Sequence, residues 1–256
     1  MYWLIGLIQG DGYIDDRHVE IYSSSETISR HTVKVLQKLG ISKKRIKVDI
    51  YSHSQRTKMI SKWSHILKLP KDSFKLRENT SPWKSNREKL RIRVASKELV
   101  IMLKKAFKNI KNKKAYVKGL FDAEASVDIK GYIEFKQLAS SDGMKIVLKT
   151  HAIIKKLGIS TTKPKTKKDR NIKTDIYFYV KALRKYQKEI GFVDTDKKTK
   201  LQKLIKIRKA NQDPSAEQVI RLVKQGKSIW EIMNKLESPY HKVRREKNRL
   251  TARQTR

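Results

Sequence analysis

Two acidic residues each end a short segment that occurs twice in the chain. The first segment, residues 3–12, reads WLIGLIQGDG, and the second, residues 116–125, reads YVKGLFDAEA. Aligned without a gap, the segments place Asp11 on Glu124, an offset of 113 residues (124 − 11). Carboxylates are hard oxygen ligands that suit Mg²⁺, and divalent ions held in this way can activate water for hydrolysis. The alternative is that neighbouring lysines pair with the two acids and leave no site.

Both segments have the spacing of helices that pack closely against each other. Gly6 and Gly10 lie four residues apart, as do Gly119 and Ala123, and this spacing places small residues on one helix face. Such faces allow two helix backbones to approach closely. If the helices are parallel, the acids meet at the helix C-termini, where the partial negative charge favours a bound cation.

The likeness between the segments continues along the chain and predicts an α+β unit used twice. The letters LGIS occur at residues 39–42 and 157–160, and each copy is typical of a helix C-terminus with glycine in the left-handed cap position. Further helices are predicted near residues 97–107 and 182–190, each after a strand. Each half therefore reads helix, strands, helix, strands, helix. The first half has an additional stretch, residues 52–88, which we interpret as a long hairpin or loop excursion.

Several predicted strands alternate apolar residues with basic or aromatic ones. This alternation means that one sheet face is buried and the other contacts solvent. Arginine, lysine and tyrosine on the solvent face can reach the bases and phosphates of DNA. An ordinary solvated sheet face is the alternative. The residues predicted to contact DNA from the sheets are Lys47, Tyr51, Arg91, Arg93, Tyr132, Lys136, Lys165, Tyr177 and Tyr179.

The composition favours a strongly negative partner. The 256 residues include 62 lysines and arginines against 25 aspartates and glutamates, a formal net charge of +37. Nucleic acid is the expected partner because each neutralised phosphate releases condensed counterions. A ribosomal or other structural basic protein is the alternative. The absence of cysteine excludes disulfides and cysteine-ligated zinc, and the six histidines have no metal-ligand spacing. With no apolar run of roughly 20 residues and no signal peptide, we expect a soluble intracellular protein.

The last part of the chain is predicted to form three short helices. Ser215 and Ser228 are each followed three residues later by Gln or Glu, the spacing of a capping box. A third helix is expected to begin at Ser238-Pro239, because proline is tolerated in a first turn. Three such helices are typical of a helix-turn-helix, with Arg244 and Arg245 as DNA contacts on the third, recognition helix. The alternative is a capping bundle with a solvated basic end.

Both repeated segments resemble the LAGLIDADG motif of homing endonucleases. The first, LIGLIQGDG, matches at six positions, and the second, VKGLFDAEA, matches at four, with Glu124 in place of the usual aspartate. The likeness covers roughly residues 1–210. It implies the monomeric, two-motif type of the family, with two pseudo-symmetric αββαββα halves that form a saddle of antiparallel sheets over double-stranded DNA. The helix-turn-helix would then be a C-terminal extension.

The resemblance also implies a catalytic site. Two or three Mg²⁺ ions would be held by the two acids, each acid serving the cut of one strand, with assistance from the preceding backbone carbonyls. Family members usually hold a lysine and a glutamine beside the metals, although a simple phosphate contact is an equal alternative for the lysine. This chain departs from the motif at Gln9, a position that usually caps or packs, and at Ala125, where glycine is usual. The predicted metal-binding residues are Asp11, Glu124, Gly10 and Ala123, and the predicted catalytic residues are Asp11, Glu124, Lys136 and Gln137.

The expected function is site-specific cleavage of both DNA strands, in the cytoplasm, the nucleoid or an organelle that carries an intron. The target would be long and asymmetric because the halves, residues 1–111 and 112–210, differ in sequence, and residues 211–256 would add a DNA-binding tail. The alternative on the same fold is a non-cleaving DNA-binding regulator or an RNA maturase. The presence of both acids favours cleavage, because clustered acids that face DNA phosphates give a protein that only binds DNA little advantage.

Overall fold

The structure is a computed structural model, and its described chain forms two compact units. The first unit comprises Met1–Glu124 and Phe192–Thr195, and the second comprises Ala125–Gly191 and Asp196–Arg256. Helices occur beside a mainly antiparallel sheet in each unit, which confirms the predicted α+β class. The described residues are 1–52, 58–78, 88–169, 172–209, 215–236 and 238–254.

The first unit contains a five-stranded sheet with strand order β1-β2-β5-β3-β4. All neighbours are antiparallel except β3 and β4, which are parallel. One sheet face is apolar, and helices α1, α2 and α4 contact β2. The elements are α1 (Tyr2–Asp11), β1 (Gly12–Ile14), β2 (His18–Ser23), α2 (Glu26–Lys38), β3 (Ile46–Ser52), α3 (Lys58–Leu67), β4 (Phe74–Glu78), β5 (Lys89–Ala95), α4 (Lys97–Lys108) and α5 (Lys113–Glu124), with single 3-10 turns at Lys43–Arg45 and Lys71–Ser73.

The hairpin or loop excursion predicted for residues 52–88 is wrong in the part that the structure describes. That part forms α3 and β4, and β4 pairs with β3 in parallel. A parallel partner needs a crossover connection rather than a hairpin, and α3 lies in that crossover. Trp63 and Leu67, one helical turn apart, are buried and give α3 an apolar face. Residues 53–57 and 79–87 lie outside the described residues.

The second unit contains a four-stranded antiparallel sheet with strand order β6-β7-β9-β8. In chain order, α5 followed by this unit's first elements gives the predicted αββαββα pattern. Because α5 packs on α1, this first helix of the second repeat belongs to the first unit, and the boundary at residue 111 stays a prediction. The elements are β6 (Ala125–Asp128), β7 (Tyr132–Leu138), α6 (Ser141–Lys156), β8 (Lys165–Asp169), β9 (Ile172–Val180), α7 (Leu183–Glu189), α8 (Thr195–Lys209), α9 (Ala216–Lys224), α10 (Ile229–Leu236) and α11 (Tyr240–Gln254).

Both LGIS sequences end a helix as predicted. Gly40, just after α2, has a φ of 85°, and Gly158, just after α6, has a φ of 68°. The N–H of Ile41 donates to the carbonyl of Leu36 at 3.1 Å, and the second copy repeats this bond. These bonds satisfy helix-end carbonyls in the manner of a Schellman cap.

The three tail helices are confirmed, together with the serines that begin the first two. The hydroxyl of Ser215 accepts the N–H of Gln218 at 3.2 Å at the start of α9. Ser228 and Glu231 form a reciprocal capping box at α10, with bonds of 3.3 Å and 2.8 Å. None of the helices in the described ranges is both long enough and apolar enough to cross a membrane. The tail core contains the buried residues Val219, Leu222, Ile232, Met233 and Val243.

Candidate functional site

Helices α1 and α5 pack backbone against backbone through one glycine from each. A Cβ added at Gly6 would collide with the carbonyl oxygen of Tyr116 and lie 2.8 Å from the N of Leu120. A Cβ added at Gly119 would collide with the carbonyl oxygen of Trp3 and lie 2.8 Å from the N of Leu7. The contact is therefore reciprocal and so close that only glycine fits on either side.

The same helix pair brings the two predicted acids to neighbouring helix ends. A Cβ added at Gly10 would lie 2.5 Å from the Cβ of Ala123 and 3.2 Å from the Oε1 of Glu124. The carboxylate of Glu124 thus lies against the residue that precedes Asp11. Since Gly10 meets the last turn of α5 while Gly6 meets an earlier turn, the two helices are parallel. Asp11 is exposed and Glu124 is half-buried.

The carboxylates of Asp11 and Glu124 are oxygen donors of the kind that a hard divalent cation prefers. Both acids are the last residues of their helices, where backbone carbonyls lack intrahelical partners. No group of three or more histidine, cysteine or acidic side chains that could hold a metal occurs in the described parts of the chain. An ion here would therefore complete its shell with carbonyls, water or a ligand's oxygens, as Mg²⁺ commonly does.

A buried carboxylate two residues before Glu124 joins this helix pair to the segment after α7. The Oδ1 of Asp122 accepts the N–H groups of Val193 and Asp194 at 2.9 Å and 3.1 Å. Its Oδ2 accepts the indole N–H of Trp3 at 2.7 Å. The residue is only 4% exposed, so these charge-assisted bonds replace its lost hydration.

On the solvent face of the first sheet, the predicted DNA contact Arg91 lies in a hydrogen-bonded network. Its Nε donates to the Oδ2 of Asp49 at 2.9 Å, its Nη2 donates to the same oxygen, and its Nη1 lies 3.6 Å from the Oε1 of Glu20. The guanidinium also lies 5.9 Å from the ring centre of Tyr51. Lys47 is exposed and Arg93 is partly exposed on this face. Arg91 itself is largely engaged by acids of its own sheet.

Sequence reasoning missed Arg77, which shares Asp49 with Arg91. The Nε of Arg77 donates to the Oδ1 of Asp49 at 3.2 Å from β4. Burial acts to raise the pKa of Asp49, but the hydrogen bonds from Arg91 and Arg77 outweigh it and hold the pKa below its ordinary value. The alternating letters FKLRE at residues 74–78 carried the signal for a strand with an exposed basic face.

The second sheet presents a row of tyrosines on its solvent face. The rings of Tyr132 and Tyr179 lie 4.2 Å apart, and those of Tyr179 and Tyr177 lie 5.2 Å apart. Burial raises the pKa of Tyr132 and of Tyr179, so both phenols stay protonated and can donate hydrogen bonds. Lys165, exposed on β8, pairs in register with Tyr177. Four of the predicted DNA contacts therefore lie close together.

The predicted pair Lys136 and Gln137 does not share one face of this sheet. Successive strand residues point to opposite faces. Lys136 is exposed, and its Nζ lies 3.7 Å from the Oδ2 of Asp175. The Nε2 of Gln137 is buried and has no hydrogen-bond partner among the described residues. The structure thus separates the two side chains that the family pattern groups together.

In the tail, the predicted contacts Arg244 and Arg245 are both exposed on α11 but differ in their partners. The Nη1 of Arg244 lies 3.3 Å from the hydroxyl of Tyr240, whose ring it also covers. The Nε of Arg245 donates at 3.1 Å to Glu246, which also accepts a bond of 2.9 Å from Arg249. Glu246 is 5% exposed, so it anchors two arginines at the edge of the tail core.

The sequence of residues 1–98 matches the family described as LAGLIDADG-like domain. Among solved structures, full-length DUF199/WhiA from Thermatoga maritima is 15% identical, with 97% of this chain and 88% of that chain covered and a TM-score of 0.47. Mesophilic variants of the homing endonuclease I-DmoI are 17% identical, with coverages of 74% and 93% and a TM-score of 0.45. I-DmoI in complex with DNA and Mn is 18% identical, with coverages of 74% and 94% and a TM-score of 0.44. No curated protein matches the chain in sequence.

Proposed function

We propose that the protein is a site-specific DNA endonuclease, because residues 1–98 match the LAGLIDADG-like domain family. It acts as a monomer, because one chain carries both acidic motifs, and it makes a double-strand break in a long asymmetric target by Mg²⁺-dependent hydrolysis. The observation that carries the proposal is the approach of Glu124 to Gly10, which directly precedes Asp11. Two helix C-termini with two carboxylates concentrate negative charge that a divalent cation relieves.

The carboxylates of Asp11 and Glu124 would hold the Mg²⁺ ions, with the backbone carbonyls of Gly10 and Ala123 as further oxygen donors. When bound, the ions supply activation of water and stabilisation of the leaving oxygen. Lys136 would polarise phosphate or water from its exposed position, and Gln137 would orient a ligand through its amide. The roles of Lys136 and Gln137 rest on the resemblance to the family pattern alone.

We propose that the solvent face of each sheet binds DNA. Basic side chains on these faces bind phosphates, and the tyrosines donate hydrogen bonds to phosphate or base oxygens. Arg91 supports this surface by holding Asp49 and Glu20 in place rather than by reading bases. The tail adds phosphate contacts through α11, whose side chains at Arg244 and Arg245 are exposed. The remaining proposed contacts are Lys47, Tyr51, Arg93, Tyr132, Lys136, Lys165, Tyr177 and Tyr179.

A binding protein that does not cut is the second candidate, either a DNA-binding regulator or an RNA maturase. The observation in its favour is the tail, a three-helix unit with its own core and a basic outer helix, which hydrolysis does not require. Basic side chains on such a helix can bind phosphates without any cutting.

Cleavage of a DNA library with Mg²⁺, followed by sequencing of the ends, distinguishes the two candidates. We expect the wild type to cut both strands at one site. Asp11→Asn and Glu124→Gln should each reduce cutting by at least about a hundredfold while affinity stays within about threefold, because the lost charge serves hydrolysis and not binding. Tight, selective binding without cutting by the wild type would support the regulator, and selective binding of RNA would support the maturase.

A further inference from the structure

The unexpected strand β4 brings an additional arginine to the solvent face of the first sheet. Arg77 pairs in parallel register with Tyr51 of β3, and Lys75, two residues earlier, pairs with Asp49. Both basic side chains are exposed. The crossover through α3 thus extends the basic face of this sheet by one strand.

The carboxylate of Asp49 binds Arg91 and Arg77 in different ways. Arg91 directs both Nε and Nη2 to one carboxylate oxygen and has Glu20 near its Nη1, and its side chain is 20% exposed. Arg77 gives only its Nε to the other oxygen, and its side chain is 47% exposed. Within the described ranges, the two Nη groups of Arg77 make no hydrogen bond. The two terminal Nη groups of Arg77, which form its fork, are therefore accessible, while Asp49 holds the Nε.

We propose that Arg77, oriented by Asp49, is a specificity-determining residue that reads a guanine in the DNA target. The inference rests on the proposed DNA-binding function and adds the base that one residue recognises. The two terminal amino groups of arginine match the O6 and N7 acceptors of guanine in the major groove, which makes this the commonest specific contact of its kind. A fork that is already held at Nε loses less side-chain freedom on binding.

The other basic residues of this face lack that combination. Arg91 has its donors engaged, and Lys75 and Lys47 are lysines, which bind as point charges without a planar fork. Asp49 is a positioning residue here, because it touches the arginine and not the DNA. Its buried carboxylate also partly neutralises the face, so its role should appear in base preference and not in overall affinity.

The test is selection of bound sites from a randomised duplex pool, in Ca²⁺ to prevent cutting, with the full-length chain. We expect one position where the wild type prefers guanine by about 5- to 150-fold. Arg77→Lys and Arg77→Ala should both abolish that preference, although the first keeps the charge. Asp49→Asn should weaken the same preference while overall affinity stays equal or rises, because a negative charge is removed.

The matched control is Lys75→Ala, which removes one positive charge from the same strand and face. It should lower affinity for all sequences, reduce the slope of log affinity against log salt by about 1, and leave the guanine preference intact. If the wild type selects a site and Arg77→Lys keeps every base preference, the inference is overturned while the proposed function stands. If the wild type selects no sequence, the proposed site-specific binding fails and this inference fails with it.

Discussion

The indole Nε1 of Trp3 donates a 2.7 Å hydrogen bond to the buried carboxylate of Asp122. The repeat mirrors this bond, since the hydroxyl of Tyr116 donates to the Oε1 of Gln9. Each residue of the second bond is related to its counterpart in the first by the offset of 113 positions. The polar residue at the end of each motif therefore accepts an aromatic donor from the other helix, and this pair of bonds locks the register in which Gly10 meets Glu124.

Replacement of Asp122 by Asn should destabilise the protein more than removal of the mirrored bond. The amide NH₂ of Asn would face N–H donors where a carboxylate oxygen now accepts them, so we expect a loss of about 1–3 kcal/mol in the free energy of unfolding. Tyr116→Phe removes one uncharged hydrogen bond and should lose about 0.5–1.5 kcal/mol. Urea unfolding of both variants measures the difference. Equal losses would contradict the view that Asp122 joins the helix pair to the following segment.

The close approach of α1 and α5 predicts a large penalty for a single methyl group at Gly6. The methyl group of Gly6→Ala meets backbone atoms of α5 that no side-chain rotation can move, and overpacking of this kind costs about 1–3 kcal/mol or more. Gly40→Asn is the control, because Gly40 has a φ of 85° and open space around it, and Asn tolerates that conformation. Thermal unfolding should show a clear decrease for the first variant and little change for the second. A stable Gly6→Ala protein would exclude the close helix contact.

Gln137→Met should raise stability and reduce cutting together. The buried amide Nε2 has no partner among the described residues, so replacing it by a similarly shaped apolar group should add about 1 kcal/mol to the free energy of unfolding. Because we propose a catalytic role for the amide, the single-turnover cutting rate should fall at least about tenfold. A variant that gains stability and cuts at the wild-type rate would remove Gln137 from the site.

Two residues of α11 should separate the stability of the tail from its binding of DNA. Arg244→Ala should lower DNA affinity evenly across sequences and reduce the salt slope by about 1, since it contributes one phosphate contact. Its melting temperature should not change, because the side chain is exposed. Glu246→Gln should instead lower the melting temperature, because Arg245 and Arg249 lose a charged partner that is buried. Unchanged affinity of the Arg244 variant would leave the tail as a capping bundle.

Features encoded within a few neighbouring residues could be predicted from the sequence. The glycine caps after α2 and α6 and the capping box at Ser228 depend on bonds between residues close in the chain. The period of two in β5 and β7 follows from the local pleat of an extended backbone. The small residues of the two motifs also predicted that their helices pack closely, and the contact between Gly6 and Gly119 confirms it. These predictions succeeded because local hydrogen bonding and packing leave few alternatives.

The features that only the tertiary structure decided involve partners that are distant in the chain. The sequence alone could not show that β4 is parallel to β3. Strand pairing depends on the sheet edge to which the crossover connection brings the next strand. The sequence also could not show that Asp49 engages Arg91 almost fully while leaving the fork of Arg77 accessible, because all three alternate along their strands in the same way. The sequence by itself determined which residues are acidic, basic or small and which face of its element each one occupies. The fold determined which of them meet, because the energy of a hydrogen bond or an ion pair depends on distance and burial, and both arise from packing of the whole chain.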